Sequence, residues 1–565
     1  MACNILGSSS MQFDNIIIGS GAGALSAAIC LSREGQSVLV LEQHDVPGGW
    51  CHSFYLEGHQ FSPGVHYIGM LNEGGSTREL YEGLGVANDL TFFRMRKEAY
   101  EHCHIGDEKI DLPSNFHDLY QVLSERFPHE KKGLKKYLEL IENVGKQLAL
   151  IPEMNGFWDH ITIPYRTRHL GKYGLFSLKR VINWFIKDPL LQTVLNVQSG
   201  NHGLPPARAS FPVHCAVMDH YAKGGFYPKG GGAAIVKSMT KLIKKNGGEI
   251  RTSTSVKQIL VEDTGKKNNK KAIGVELDNG EQIFAKRIIS NADPEVTYRK
   301  LVGENHLSNG LIKKLNGTKY SSACLMLFLV VDMDLRKAGI DSGNIWKAAK
   351  INLDEAYDDL LDMDVAKGEK MPSLFISCPT IKDPTSFNGR YHTIEAVTFT
   401  NHKAFNEFRT PEKRKSQAYQ DLKEAIANKM INAIEEVVPG IREKIVIQEL
   451  GTPLTNEYYI NTTNGCAYGT EKTFKQVGPL SYKPKSEIEN LYLCGASILS
   501  HGVAGATFSG VQTAAEILGC KQKDLIQPIE GQRLNVYDAE DDKDYPEEIL
   551  AKMKVRKSRA KVESN

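Results

Sequence analysis

The apolar positions fall into two kinds of pattern. Short runs rich in branched and aliphatic residues, Ile16-Ile17-Ile18 and then Ser37-Val38-Leu39-Val40-Leu41, have the length and composition of strands buried on both faces. Between them Ala22 to Arg33 is rich in Ala and Leu and predicts a helix, closed by Gly35. Leu134 to Ile151 carries apolar residues at helical spacing with charges between, which predicts a second, one-sided helix. A hairpin is expected from Lys257–Glu262 and Ile273–Leu277 around a Lys/Asn-rich turn at 266–271. Further on, strands at Ala323–Asp332 and His392–Thr400 precede a helix at Ser416–Val437. That order suits an antiparallel sheet with helices on one face. Ala323 to Val331 is the longest apolar run, and it is too short to span a bilayer.

Gly19, Gly21 and Ala24 stand between the first strand and the first helix, spaced as G-x-G-x-x-G/A. The first glycine permits a tight turn, the second lets backbone approach a pyrophosphate, and the small third residue lets helix pack closely on strand. The helix N-terminus would then face phosphate. Glu42 closes the second strand, where it can accept hydrogen bonds from a ribose 2′-OH. An acid there favours FAD or NAD over NADP. Strand, glycines, helix, strand and acid follow in order within about 30 residues, the context that makes the motif informative. Gly48-Gly49 would let backbone lie against a dinucleotide or a flavin ring.

Composition narrows the function classes. A chain of 565 residues predicts two or more domains. A net charge of +2 leaves no footprint for nucleic acid. The ten cysteines are scattered without a C-x-x-C pair, so neither a disulfide framework nor a zinc site is expected, and a reducing cytoplasm fits. The first residues lack the basic and apolar regions of a signal peptide. His102 and His104 flank Cys103, but no third ligand stands nearby and no metal is expected. One stretch breaks the even charge distribution. Tyr165 to Lys187 holds six cations, no acid, and five interleaved aromatics. Leu175, Leu178, Ile182, Phe185 and Ile186 would share one helical face. The stretch is either a helix lying on a membrane surface, with a lipid substrate entering nearby, or an ordinary amphipathic cover. The charged tail, 521–565, is expected to be partly disordered or to wrap the surface.

Four stretches carry a resemblance. They are LEQHDVPGGWCHSFYLEGHQFSPGVHYIG (Leu41 to Gly69), FIKDPLLQTVL (Phe185 to Leu195), HYAKGGFYPKGGGAAI (His220 to Ile235) and NLYLCGASILSHGVAGATFSG (Asn490 to Gly510). Together they resemble the all-trans-retinol 13,14-reductase (retinol saturase) family, which groups with carotenoid isomerases and bacterial-type phytoene desaturases. The resemblance runs from about residue 13 to about 520. It implies an α/β fold with a Rossmann-type, glutathione-reductase-like FAD-binding domain and an inserted α+β substrate domain. The expected limits are 12–70, 215–300 and 486–520 for the FAD domain, with 71–214 and 301–485 for the substrate and membrane-associating domain.

The resemblance also implies a cofactor set: Gly19, Gly21, Ala22, Gly23, Ala24, Glu42, Gln43, Gly48, Gly49, Trp50, Val256, Gly495, Ser497, Val503 and Ala504. Val256 matches a strand whose backbone contacts adenine. Many relatives carry an Asp after the last cofactor glycine; Ala496 stands there, so that contact is expected to move to Ser497. Trp50 likewise replaces an arginine common after the double glycine. The expected activity is FAD-dependent exchange of hydride with a double bond of a polyene or prenyl-like lipid. Saturation comes first, with desaturation and cis–trans isomerisation as alternatives and a non-catalytic flavin-bearing lipid carrier as a reading of another class. Adding hydride to a double bond requires a proton donor, for which His66, Tyr67 and His501 are candidates. The electron donor is open between NAD(P)H and a redox protein. Tyr458, Tyr459, Asn461, Asn464, Cys466 and Tyr468 either shape a tunnel mouth or form a packed turn.

Overall fold

The computed structural model describes residues 12–151, 157–265 and 270–554, without the side chains of 157–161. The N-terminal stretch, the middle of the turn expected at 266–271 and the last part of the tail lie outside these residues.

The strand Phe13–Ile18 lies in the middle of a seven-stranded sheet. Val38–Leu41 pairs parallel on one side and Gln282–Ser290 on the other. Glu249–Arg251 extends the first side, and Leu491–Leu493 adds parallel to the far end of Gln282–Ser290. The near end of that long strand turns into an antiparallel meander with Lys270–Leu277 and Val256–Asp263. Helices Ala22–Arg33 and Gly502–Leu518 pack together over one face. Eleven of the twelve residues of Ala22–Arg33 are buried, which suits a helix of small and apolar residues lying between a sheet and another helix. Residues through Val302 and Leu315 pack on the opposite face with Ile16 and Leu39.

The second sheet also has seven strands. Its order is Ile445–Gly451, Ala323–Val331, His392–Thr400, Ser373–Ser377, Asn344–Ala348, Glu101–Ile105 and Glu108–Leu112. All its pairs are antiparallel except Asn344–Ala348 with Glu101–Ile105. The antiparallel expectation therefore fails at the one place where a distant segment joins the sheet edge. Helix Gln417–Glu435 covers this sheet through Ile426, Met430, Ile431 and Ile434.

One other expectation changes, and the tail, as far as residue 554, takes the surface-wrapping form of its two expected readings. Tyr165–Lys187 is not one helix. It spans the end of Phe157–Arg166, then Arg168–Tyr173 and Leu178–Phe185. The break follows from Gly174 and from Ser177, whose side chain caps the last helix by accepting the Arg180 N–H. Leu178 and Ile182 are buried, while Leu175 falls in the break and is 72% exposed. The tail is a strap. Asn535–Asp538 pairs parallel with Thr91–Arg94, which in turn pairs with Phe226–Pro228. Tyr545, Ile549 and Met553 bury against Phe93.

Candidate functional site

Backbone conformation builds the first part of the site. Gly19 has φ +85°, a left-handed turn that a side chain would strain. A Cβ on Gly21 would lie 2.6 Å from Asn291 Nδ2. Gly49, with φ +54°, packs against Gly21, so the two glycine segments form one bare backbone surface. Gly21 caps helix Ala22–Arg33 without a side chain, and Gly21, Ala22 and Gly23 line a cavity at the helix start, with Ala24 buried behind them. Uncapped amides at a helix start suit a phosphate.

Glu42 is held beside this turn. Its Oε2 accepts from the Ser20 N–H at 2.9 Å and the Ser20 hydroxyl at 2.6 Å, and its Oε1 accepts from the His44 N–H at 2.9 Å. Ser20 Oγ also accepts from the Gly48 N–H at 2.9 Å. One hydroxyl thus ties the glycine turn, the acid and the double glycine together. Gln43, Thr254 and Val256 line the cavity with Glu42. At the far strand end Gly495, φ +98°, donates its N–H to Ser509 Oγ. Ser497 Oγ accepts from the Thr470 N–H at 3.2 Å. Val503 and Ala504 sit in the first turn of helix Gly502–Leu518, which also begins without a side-chain cap. Trp50 lines the cavity beside an aromatic cluster containing Phe61 and Phe328.

These residues border a single cavity of about 1100 Å³. Its further walls are apolar, among them Val197, Leu353, Tyr357, Phe375, Val397 and Phe399. It reaches the surface at exposed apolar side chains, Ile151, Leu175, Leu480 and Leu499. Tyr459, Asn461 and Tyr468 line it, whereas Tyr458 faces solvent and Cys466 is buried outside the lining.

The proton-donor candidates lie along this cavity. His66 Nδ1 is 3.0 Å from Glu395 Oε2, and Glu395 is fully buried. A carboxylate only accepts, so Nδ1 carries the proton there and Nε2 is the free atom. Tyr67 accepts at its hydroxyl from Asn201 Nδ2, 2.9 Å away, and stacks on Tyr221 at 4.1 Å. Burial and the nearby Glu101 carboxylate push the Tyr67 phenol well above its ordinary value. His501 Nε2 lies 2.6 Å from the carbonyl oxygen of Asn201, so Asn201 joins Tyr67 to His501. Burial, with Lys472 beside it, pushes His501 down to about 3. It is a neutral ring whose Nε2–H donates to that carbonyl, leaving Nδ1 as a buried acceptor without a partner.

Several residues of this site carried no sequence signal. Lys382, fully buried, donates to the His66 carbonyl and to Asn344 and Ser377. Lys472 lines the cavity and donates to the Ala496 carbonyl at 2.7 Å. Glu395 had a signal: it is the one acid in the apolar strand HTIEAVTFT.

An α/β sheet with a bare phosphate cradle, an acid for a ribose and an attached apolar cavity defines a dinucleotide-dependent redox protein. A family model, flavin containing amine oxidoreductase, matches residues 23–518, and the chain belongs to that family. Its cofactor is FAD, and the cradle fits that group. The all-trans-retinol 13,14-reductase of Danio rerio is 29% identical over 536 residues, covering 90% of this chain and 86% of its own. The chloroplastic prolycopene isomerase of Daucus carota is 28% identical, covering 92% of this chain and 82% of its own. Among solved structures, an oxidoreductase from Methanosarcina mazei superposes with TM-score 0.58 at 16% identity, over 89% of this chain and 99% of its own. At that identity the likeness speaks for the fold.

Proposed function

We propose that the protein transfers hydride between FAD and a carbon–carbon double bond of a polyene lipid, with saturation as the direction. The observation that carries this reading is the continuity of one cavity from the glycine cradle into an apolar, aromatic-walled interior. The names of the two sequence relatives supply the substrate class. The cofactor lobe is read as the glutathione-reductase type, and the residues lining the cradle as the FAD contacts.

Reduced flavin supplies hydride; the remaining work falls to this chain. The apolar walls exclude water and align an extended chain. Tyr67, held by Asn201 and Tyr221, presents a proton-bearing group, and His66, whose Nδ1–H is committed to Glu395, presents Nε2, which has a proton to give only when the ring is doubly protonated. His501 acts as an acceptor rather than a donor, because its one proton is committed to Asn201. Desaturation and isomerisation use the same placement and remain the second reading. The broken helices at 165–187 are read as a peripheral membrane contact at the cavity opening. Arg180 lies over the half-buried Phe176 at 4.7 Å and Lys172 over the buried Tyr173 at 5.1 Å, which leaves the two cations exposed on top of the rings.

The test is anaerobic. Holoenzyme reduced with dithionite is mixed with all-trans-retinol or a carotenoid. The expected result is return of the oxidised flavin spectrum, with a product two hydrogens heavier. Binding without spectral change would establish a carrier instead. In a parallel aerobic arm with oxidised holoenzyme, hydrogen peroxide formed from amines and dioxygen, together with no reoxidation by polyenes in the anaerobic arm, would establish an amine oxidase.

A further inference from the structure

Behind the cavity wall formed by Tyr67, Tyr221 and Trp346 lies a carboxylate that the account above does not use. Glu101 is fully buried. Trp346 Nε1 donates to its Oε2 at 2.7 Å, and Gln198 Nε2 approaches its Oε1 at 3.4 Å. The Tyr67 phenol and this carboxylate lie close enough to act on one another's charge: Glu101 helps to raise the Tyr67 phenol, and the Tyr67 hydroxyl favours ionised Glu101. Lys382 offsets its charge, yet all three Lys382 N–H bonds are directed elsewhere, to His66, Asn344 and Ser377. The other titratable groups acting on Glu101 are Tyr100, just before its strand, Cys103 on the strand and Tyr221 from helix Phe211–Tyr221. Burial holds all three in their neutral forms.

A phenol has one proton and two lone pairs. Asn201 fills one lone pair of Tyr67. With Glu101 ionised, the Tyr67 proton is drawn to the carboxylate and away from the cavity. With Glu101 protonated, its O–H fills the second lone pair, and the Tyr67 proton turns into the cavity. The state of one hidden acid thereby decides where the phenol points its proton.

We propose that Glu101 is a positioning residue that aims the Tyr67 proton at the substrate and replaces it after transfer. This rests on the polyene-reduction reading. In the balanced step one alkene carbon takes hydride, two electrons and a proton, from the flavin reduced by a two-electron donor. The other carbon takes the Tyr67 proton as the phenol O–H bond breaks. The Glu101 proton moves to the Tyr67 oxygen, and once product has left, cavity water reprotonates Glu101 by way of the Tyr67 hydroxyl, which lines the cavity. Burial outweighs the hydrogen bonds and Lys382 and pushes the Glu101 carboxyl up to about 7, so both forms are populated near neutrality.

The test follows reoxidation of dithionite-reduced holoenzyme by all-trans-retinol on both sides of that pH, alongside the infrared C=O band of a protonated buried carboxylic acid. Wild type should hold its rate below pH 7 and lose about tenfold per pH unit above it. Glu101→Gln should abolish both the infrared band and the alkaline limb, and slow reoxidation about 100-fold, the low end of general-acid effects. Tyr67→Phe should lose the same limb while keeping the band, and it stands in if Glu101→Gln does not fold. A variant that is merely slower, with the wild-type pH profile intact, overturns the proposal. So does a wild-type band that does not titrate. If polyenes fail to reoxidise even wild type, the functional reading fails, while the infrared titration still reports whether Glu101 is the acid described.

Discussion

Glu395 Oε2 lies 3.0 Å from His66 Nδ1, although the two residues stand 329 positions apart. The carboxylate also accepts the Ser62 N–H at 2.7 Å, so both of its oxygens are engaged and the imidazole is held at a fixed angle to the cavity. His66→Ala should leave the protein yellow with an unchanged flavin spectrum and lower kcat about 100-fold if His66 handles a proton. Glu395→Gln should give a smaller loss, because an amide can satisfy either tautomer of the ring. Unchanged turnover in His66→Ala removes it from the mechanism and leaves Tyr67 alone.

The helix crossing beneath the phosphate cradle is equally specific. A Cβ on Gly510 would come within 1.9 Å of the Gly23 carbonyl oxygen and 2.1 Å of Ser26 Oγ. Both contacts are in helix cores, where nothing can move aside cheaply. Gly510→Ala should therefore destabilise the protein by about 1–3 kcal/mol and push the uncapped start of Ala22–Arg33 out of line. Thermal unfolding and flavin content measured together check this. A variant with wild-type melting temperature and full colour would show that the crossing is not tight.

Those two relationships mark what could be read from the chain beforehand. Gly19, Gly21 and Glu42 were legible because local order alone, strand–turn–helix–strand, constrains them. Gly510 sat inside a recognisable stretch, but its contact with Gly23 is set by how two helices cross, and no spacing encodes that. Glu101, Lys382 and Glu395 come from three segments that meet only when the second sheet closes. Glu101 and Lys382 look like ordinary charged residues until their burial is known, whereas Glu395 stands out as the one acid in an apolar strand. The stretch 165–187 failed differently. Its composition was read correctly as basic and aromatic, but the Ser177 cap outweighs a continuous helical register.

The basic surface yields a separable prediction. Each cation near an anionic leaflet is worth about 1 kcal/mol, so replacing Arg168, Lys172 and Arg180 by Gln should weaken binding to phosphatidylserine vesicles about 100-fold. The loss should disappear with neutral vesicles or high salt. Leu175→Asp acts through the exposed apolar side chain instead, and should weaken binding to both vesicle types. Wild type that stays wholly in the supernatant with anionic vesicles excludes the membrane contact.

The last prediction concerns stability rather than chemistry, and it separates the two histidines around Cys103. His102 bridges Asp111, 2.7 Å from Nδ1, and Asp341, 2.8 Å from Nε2. Asp341 also takes Arg96 at 2.5 Å. Burial disfavours the charged ring, but the hydrogen bonds and charges of the two aspartates outweigh it and raise His102 to about 9. His104, on the same strand, has no hydrogen bond to a carboxylate among the described residues, and burial, with Lys109 beside it, lowers it to about 4. A folded value above the unfolded one near 6.5 means that protonated His102 stabilises the fold fully below pH 6.5, and that the gain is lost as pH rises through 9. The gap sets a ceiling near 3 kcal/mol, and the exposure of Asp111 reduces the expected figure to about 1–2 kcal/mol. Urea unfolding of wild type and His102→Gln should therefore differ by that amount in mild acid and converge in alkali. The difference should grow again on return to acid, since no covalent change is involved. A gap that persists undiminished above pH 9 would mean that packing, not charge, is what His102 contributes.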